Sequence, residues 1–319
     1  MNIKDVKKVA ILGGGTMGCG LAQVFASAGY KTCLYDISPV ALDKALTVIR
    51  TGLGTFAEMG LIPETRIEEA IGNISTTLSL EEAVSDADFI IEAIIEKIAA
   101  KKEIYQKIDQ LCPERTIIAS NTSFLNIFEV MPERRLPQTA ITHWFAPPQI
   151  VPLVEVVRGA QTTDQTVEFL LAILRQSDKV PVVMEKFVPG FCINRMLRII
   201  GREVFFLLDN GYITPENLDL AVKASIIPRA MVLGFVQRYD FTGLDLSAMN
   251  LENEGFLEPP HDNHPKSLFD KVDRGDYGVK SGRGFYDYSD RPMEEVLKAR
   301  DIELIRVFNS LRELMGKHI

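Results

Sequence analysis

Tryptophan occurs once, histidine four times and cysteine four times in the 319 residues of this chain. The cysteines (Cys19, Cys33, Cys112 and Cys192) are scattered and form no C-x-x-C pair. That excludes a zinc ribbon and a disulfide framework, and no metal is expected; the reading is reduced structural thiols in a cytoplasmic compartment. No apolar run reaches about 18 residues and no leader precedes the first strand, so neither a membrane span nor a signal peptide is expected. Basic residues are in the minority, 35 Lys and Arg against 43 Asp and Glu, for a net charge of −8. This balance disfavours nucleic acid or an anionic membrane as a general partner. No internal repeat or low-complexity stretch stands out. Hydrophobic residues make up 46% and charged residues 24%, the balance of a soluble chain with a large core, and the length favours two domains.

Near the amino terminus a strand-like apolar run, Lys8–Leu12, leads into GGGTMGCG. Gly13, Gly15 and Gly18 take the G-x-G-x-x-G positions. Met17, Leu21, Val24, Phe25 and Ala28 then fall on one face of a helix. Gly29 follows as its C-terminal stop, and residues 32–35 form a second strand closed by Asp36. Gly13 permits the tight turn, Gly15 lets a pyrophosphate approach the backbone, and Gly18 lets helix and strand pack closely. The helix start, including Thr16 and Met17, offers free N–H groups and the positive dipole end to phosphates. Asp36 lies eighteen residues after Gly18, where a carboxylate can accept hydrogen bonds from a ribose diol. It would repel a 2′-phosphate, and no Arg or Lys follows it before Lys44. Strand, turn, helix and acid together predict an NAD site.

Further along, strands are expected at residues 88–93, 116–120, 140–143, 153–157 and 180–184. Helices are expected at 39–58, 63–71, 97–111 and 163–176. The helix over 97–111 is read as carrying Lys101, Lys102 and Lys107 on its surface. The alternation predicts an α/β fold, a Rossmann-like, doubly wound, mostly parallel sheet covered on both faces. From Pro189 no strand run appears. Helices are expected from about 189 to 211, at 215–224, 265–274 and 293–315, with a loop over 250–264. The predicted organisation is a dinucleotide-binding domain over 1–187 and a smaller all-helical domain over 188–319.

In such a sheet, ligands lie beyond the carboxyl ends of the strands. Three polar features fall there: Glu92–Glu96, SNTS (Ser120–Ser123) and His143. Glu155 sits inside the apolar strand LVEVV and is either solvated on an edge strand or paired, with His143, twelve residues earlier across a proline-bearing turn, as the candidate partner. A His–Glu pair would fix the imidazole tautomer and stabilise the imidazolium, the equipment for removing a hydroxyl proton as hydride leaves for nicotinamide. Against this, SNTS can be a simple turn and cap, Asn194 can cap its helix or face solvent, and His261, His264 and His318 read as ordinary loop or tail residues.

The blocks VAILGGGTMGCGLAQVFASAGY, IIEAIIEKIAAKKEIYQKID, SNTSFLNI, HWFAPPQIVPLVEVV, VPGFCINRML, FTGLD and GVKSGRGFYDY resemble, in order and spacing, the L-3-hydroxyacyl-CoA dehydrogenases, most of all the short bacterial-type 3-hydroxybutyryl-CoA dehydrogenases. The resemblance spans Lys8 to Tyr288. It implies an NAD-dependent oxidation of the 3-hydroxyl of a short-chain acyl-CoA and a homodimer formed through the helical domain. It makes His143 the general base and Glu155 its orienting carboxylate. Ser123 and Asn194 would bond the substrate oxygen. Glu96, Lys101 and Asn121 would line the cofactor, beside Gly13, Gly15, Thr16, Met17, Gly18 and Asp36. Two positions depart from the pattern. Ala146 stands where the family has an asparagine three residues after the histidine, and Gly234–Phe235 replaces a Gly-Pro pair. Free 3-hydroxy acids, carnitine- or gulonate-like, are therefore the alternative substrates. A non-catalytic NAD-binding protein is the alternative of another class. CoA phosphates would need exposed cations, for which Lys44, Arg50 and Lys101 are the candidates.

Overall fold

The structure, a computed structural model, describes residues 3–255 and 257–316. His318 lies outside the described residues. The chain divides into two compact units, Met1–Arg195 and Met196–Ile319.

The first unit is built on one eight-stranded sheet of order β3-β2-β1-β4-β5-β6-β7-β8. The strands are β1 (Lys8–Leu12), β2 (Lys31–Tyr35), β3 (Ile74–Thr77), β4 (Phe89–Glu92), β5 (Ile117–Ser120), β6 (Thr139–Trp144), β7 (Leu153–Arg158) and β8 (Val180–Met184). All neighbours run parallel except β6 and β7. The inner strands β1, β4 and β5 carry near-continuous apolar runs because both sheet faces are covered, with Glu92 and Ser120 at the ends of β4 and β5. Helices α1 (Thr16–Ser27), α2 (Pro39–Glu58), α3 (Thr65–Ile71), α4 (Leu80–Val84), α5 (Ile98–Leu111) and α6 (Asp164–Gln176) supply the cover. One core layer holds Ile11, Leu21, Phe25, Leu34, Phe89 and Ile91, and the other holds Leu12, Ile90, Tyr105, Ile108 and Ile118.

Strand β3 and the short α4 are absent from the sequence reading. The β3 sequence is ISTT, with two of its four residues exposed at the sheet edge. It therefore lacks the apolar signature of the inner strands. The structure also corrects the surface placement of Lys101. It shares the buried face of α5 with Ile104, Tyr105 and Ile108 and is closed to solvent.

The second unit is helical. It contains the remainder of α7 (Ile193–Asp209), then α8 (Pro215–Ala221), α9 (Ile227–Thr242), α10 (Leu244–Leu251), α11 (Lys266–Asp273) and α12 (Met293–Leu311). Gly234 interrupts α9 with a φ of 67°, which glycine adopts without a Cβ penalty. Among the described residues of this unit only Pro265 and Ile305 are buried.

Candidate active site

The glycine turn owes its shape to two close approaches. Gly13 has φ 114°, and a Cβ there would lie 2.6 Å from the Ala93 carbonyl oxygen. A Cβ on Gly18 would lie 1.7 Å from the Gly13 oxygen. Any side chain at either position would push strand and helix apart. Gly15 is the N-cap of α1, makes no side-chain cap, and has open space where its Cβ would point. Thr16 and Met17 form the first turn, so its N–H groups stand beside that space. The Asp36 carboxylate, at the end of β2, accepts hydrogen bonds from Gly14 N (2.7 Å) and Ser38 N (2.8 Å). Each oxygen keeps a lone pair for another donor. An open glycine turn, an uncapped helix start and an anchored acid fit a dinucleotide pyrophosphate and ribose. Cys19, one turn into α1, donates to the Gly14 carbonyl (3.3 Å), and burial pushes its thiol up to about 11, so it stays protonated.

At the other side of the sheet the β6–β7 hairpin makes the second constellation. The antiparallel register sets His143 directly opposite Glu155. Cross-strand partners project to the same face, and His143 Nδ1 lies 2.7 Å from Glu155 Oε2. Both side chains are almost fully buried. Glu155 is an inner-strand residue between β6 and β8, not the solvated edge residue that remained open from the sequence. Its second oxygen accepts hydrogen bonds from Cys192 N (3.0 Å) and Ile193 N (2.9 Å) at the start of α7. Gly190 and Phe191, with φ of 79° and 53°, turn the chain just ahead of those donors. A left-handed phenylalanine is unusual. Here its buried ring packs 5.1 Å from the His143 ring and 6.0 Å from Phe187. Two backbone N–H groups occupy Oε1 and leave Oε2 to meet His143 Nδ1. With the Nδ1 proton directed at Glu155, Nε2 would carry the free lone pair.

Between these two features lie the ends of β4 and β5. Four donors converge on the fully buried Glu92. Lys101 Nζ (2.6 Å) and Ile94 N (2.9 Å) bond one oxygen; Tyr105 Oη (2.6 Å) and Ser120 Oγ (2.7 Å) bond the other. Burial, then the nearby Glu92 charge, pushes the Tyr105 phenol well up, so it remains a donor. Lys101 also approaches Glu96 Oε2 at 3.2 Å. Glu96 accepts hydrogen bonds from the Thr122 hydroxyl and from Ser123 N (2.8 Å). Burial raises the Glu96 carboxyl, but Thr122, Lys101 and Ser123 together outweigh it and hold the group below the usual value of 4.5. Asn121 is fixed through its N–H to the Glu92 carbonyl (2.7 Å) and through its amide oxygen to Trp144 N (3.0 Å). Among the described residues the Ser123 hydroxyl has no protein partner, and Asn194 Nδ2 reaches the Ser123 carbonyl at 3.5 Å.

His143, Glu155, Ser123 and Asn194 are thus gathered in the first unit, with Asn121 and Glu96 beside Ser123. Gly13 to Gly18 and Asp36 form the other end. Lys101 departs from expectation: its ammonium is taken by Glu92 and Glu96 and faces no open cleft. Sequence reasoning noted Glu92 but missed its role, and missed Tyr105, Ser120 and the two N–H groups on Glu155. The spacing of Lys101 with Ile104, Tyr105 and Ile108 is a core stripe and was the available signal for a buried ion pair.

Residues 8–187 match the domain described as "3-hydroxyacyl-CoA dehydrogenase, NAD binding domain", and residues 190–288 match "3-hydroxyacyl-CoA dehydrogenase, C-terminal domain". The chain belongs to the 3-hydroxyacyl-CoA dehydrogenase family. As a member it is an NAD-dependent oxidoreductase on a Rossmann-like fold. It is 37% identical over 291 residues to the "Probable 3-hydroxybutyryl-CoA dehydrogenase" of Bacillus subtilis (strain 168), covering 90% of this chain and 99% of that one. It is 32% identical over 314 residues to the 5-formyl-3-hydroxy-2-methylpyridine 4-carboxylate 5-dehydrogenase of Mesorhizobium japonicum (strain LMG 29417 / CECT 9101 / MAFF 303099), covering 97% and 98%. A crystal structure of an enzyme of the latter name, described as an NAD+ dependent dismutase, superposes with a TM-score of 0.81 at 30% identity, covering 98% of this chain and 100% of that one.

Proposed function

We propose that the protein reversibly oxidises the 3-hydroxyl of a short-chain L-3-hydroxyacyl-CoA to the 3-ketone, with His143 as general base. The observation that supports this most strongly is the buried His143–Glu155 pair with Nε2 left free. Bound NAD supplies the hydride acceptor. His143 Nε2 takes the hydroxyl proton as the C3 hydride departs. The resulting imidazolium faces Glu155, whose charge is held by Cys192 N–H and Ile193 N–H. Ser123 Oγ and the Asn194 amide hydrogen-bond the reacting oxygen and orient it. In the reverse direction the same imidazolium returns its proton to that oxygen. Gly13, Gly15, Thr16, Met17 and Gly18 hold the pyrophosphate, Asp36 the adenosine ribose, and Glu96 and Asn121 line the remaining cofactor path. In this reading residues 1–187 bind the dinucleotide, 188–319 serve substrate and dimerisation, and free thiols fit a cytoplasmic setting.

A homodimer through the helical unit is part of the proposal. Its support is the exposed apolar surface of α9 and α10: Val236 is 83% exposed, Phe241 60%, Met249 67% and Leu251 89%. Apolar area on that scale is covered in a stable soluble protein, and a two-fold partner is the common cover.

A second substrate reading, a small free hydroxy acid, has specific support. Of the cations considered for CoA phosphates, Lys101 is buried between two carboxylates and Arg50 is paired with Glu68. Ala146 contributes no amide, and the relative matched over 97% of this chain is named for a pyridine carboxylate. The test follows NADH absorbance with acetoacetyl-CoA, free acetoacetate and dehydrocarnitine at equal concentrations. Oxidation with the thioester alone supports the acyl-CoA reading. Oxidation with a free acid alone replaces it by the second. Turnover with none of the three, despite NADH binding, counts against both.

A further inference from the structure

The Glu92–Lys101–Glu96 cluster holds two carboxylates and one ammonium. Glu92 receives four donors on its two oxygens, an arrangement suited to the ionised form. Glu96 is kept ionised by Thr122, Ser123 and Lys101. The cluster therefore carries one net negative charge. Its cation is sealed, with a side-chain exposure of 1%, whereas the Glu96 side chain is 29% exposed. The uncompensated charge is thus presented at the outer end of the cluster, beside Ser123.

Its position relative to the dinucleotide follows from the sheet. Asp36 follows β2, on one side of β1, and would hold the adenosine half there. The chain order reverses at β1, where β4 lies on its other flank, so the second half of a bound dinucleotide would fall on the β4–β5 side, toward His143 on β6. The Ala93–Glu96 turn follows β4, and the Ala93 carbonyl already abuts Gly13. The oxidised nicotinamide ring is a cation and the reduced ring is neutral. All other parts of the two forms are alike.

We infer that the Glu92–Lys101–Glu96 cluster discriminates between the redox forms of the cofactor, its net negative charge favouring binding of the oxidised dinucleotide over the reduced one. The inference rests on the NAD-site reading above. Lys101 acts as a positioning residue that aims the Glu96 carboxylate, and Glu96 is the specificity determinant.

The test is calorimetric titration of the full-length protein with NAD+ and with NADH, for wild type, Glu96→Gln and Glu96→Asp. Glu96→Gln keeps an acceptor oxygen for Ser123 N–H and removes the charge. It should weaken NAD+ binding about 3- to 30-fold, the size expected for one partly screened charge, with NADH affinity little changed. Glu96→Asp keeps the charge and should keep the ratio of the two dissociation constants. A structural role alone would move both affinities together. A Glu96→Gln ratio equal to that of wild type overturns the inference and leaves the NAD site standing. Failure of the wild type to bind either form overturns the NAD reading itself. Should Glu96→Gln not fold, the wild-type ratio is measured against salt: a preference for NAD+ that falls with ionic strength supports the cluster, and a flat ratio overturns it.

Discussion

The two units treat apolar side chains differently. In the first, Ile11, Leu21, Phe25, Leu34, Phe89 and Ile91 have no exposed surface. In the second, among the described residues only Pro265 and Ile305 are buried, and Leu251 and Val236 are 89% and 83% exposed. A sheet with helices on both faces closes on itself, because each strand meets an apolar layer above and below. In the helical unit several apolar side chains face outward instead. The groups that are candidates for chemistry lie in the self-sufficient unit. The helical unit presents surface that association would bury.

That contrast can be broken or sharpened in several ways. The largest expected effect is on the site. His143→Gln should lower kcat by about 10²- to 10⁴-fold with an unchanged NAD+ dissociation constant, measured by stopped-flow and titration. Glu155→Gln should fall in the same direction, since the imidazolium loses its counter-charge. Near wild-type turnover in either variant would remove the assignment. Next comes the core. Ile91→Ala, at a fully buried position, should cost about 2–5 kcal/mol in chemical denaturation. Val236→Ala, studied at dilution, should cost about 0.5 kcal/mol or less; equal costs would erase the contrast between the units.

Val236→Asp should then act on assembly rather than on either fold. Sedimentation equilibrium should give a dimer for wild type and a shift toward monomer for the variant. A monomeric wild type would refute the proposed dimer. The smallest effect is a pH dependence. The Glu96 carboxyl lies below its ordinary value of 4.5 in the folded chain, so the unfolded chain binds its proton first as pH falls. Its stabilisation is complete above that ordinary value and is lost as pH drops through the lower folded value. Thermal scans from pH 6 to 3 should show a steeper acid-side decline for wild type than for Glu96→Gln. Parallel curves would mean that Glu96 gains nothing from its partners.

Much of the first unit was legible because its signals are local. β1, the glycine turn and α1 are contiguous, and Gly18 answers to Gly13 in the same turn, although Gly13 itself abuts the distant Ala93 carbonyl. The inner strands announced themselves as apolar runs. β3 did not, since an edge strand with polar residues has no such run. Lys101 was misread because a lysine on a helix is usually solvated, and only its alignment with Ile104, Tyr105 and Ile108 marks it as a core position. The pairing of His143 with Glu155 was one of two readings, and the register of β6 against β7 decided it.

By itself the sequence determined the class of fold, the place of the dinucleotide turn and the residue types available for proton transfer, because these depend on periodicity and on short-range sterics. The tertiary structure alone decided which charges meet. It set Glu155 on an inner strand opposite His143 and brought the Cys192 and Ile193 N–H groups onto the same carboxylate. It also sealed Lys101 between Glu92 and Glu96. Those contacts cross between secondary-structure elements in a buried, low-dielectric interior, some over only 9 or 12 residues of chain and others over 37 or 38. There an electrostatic pairing is set by strand register and packing, neither of which is written in any local stretch of sequence.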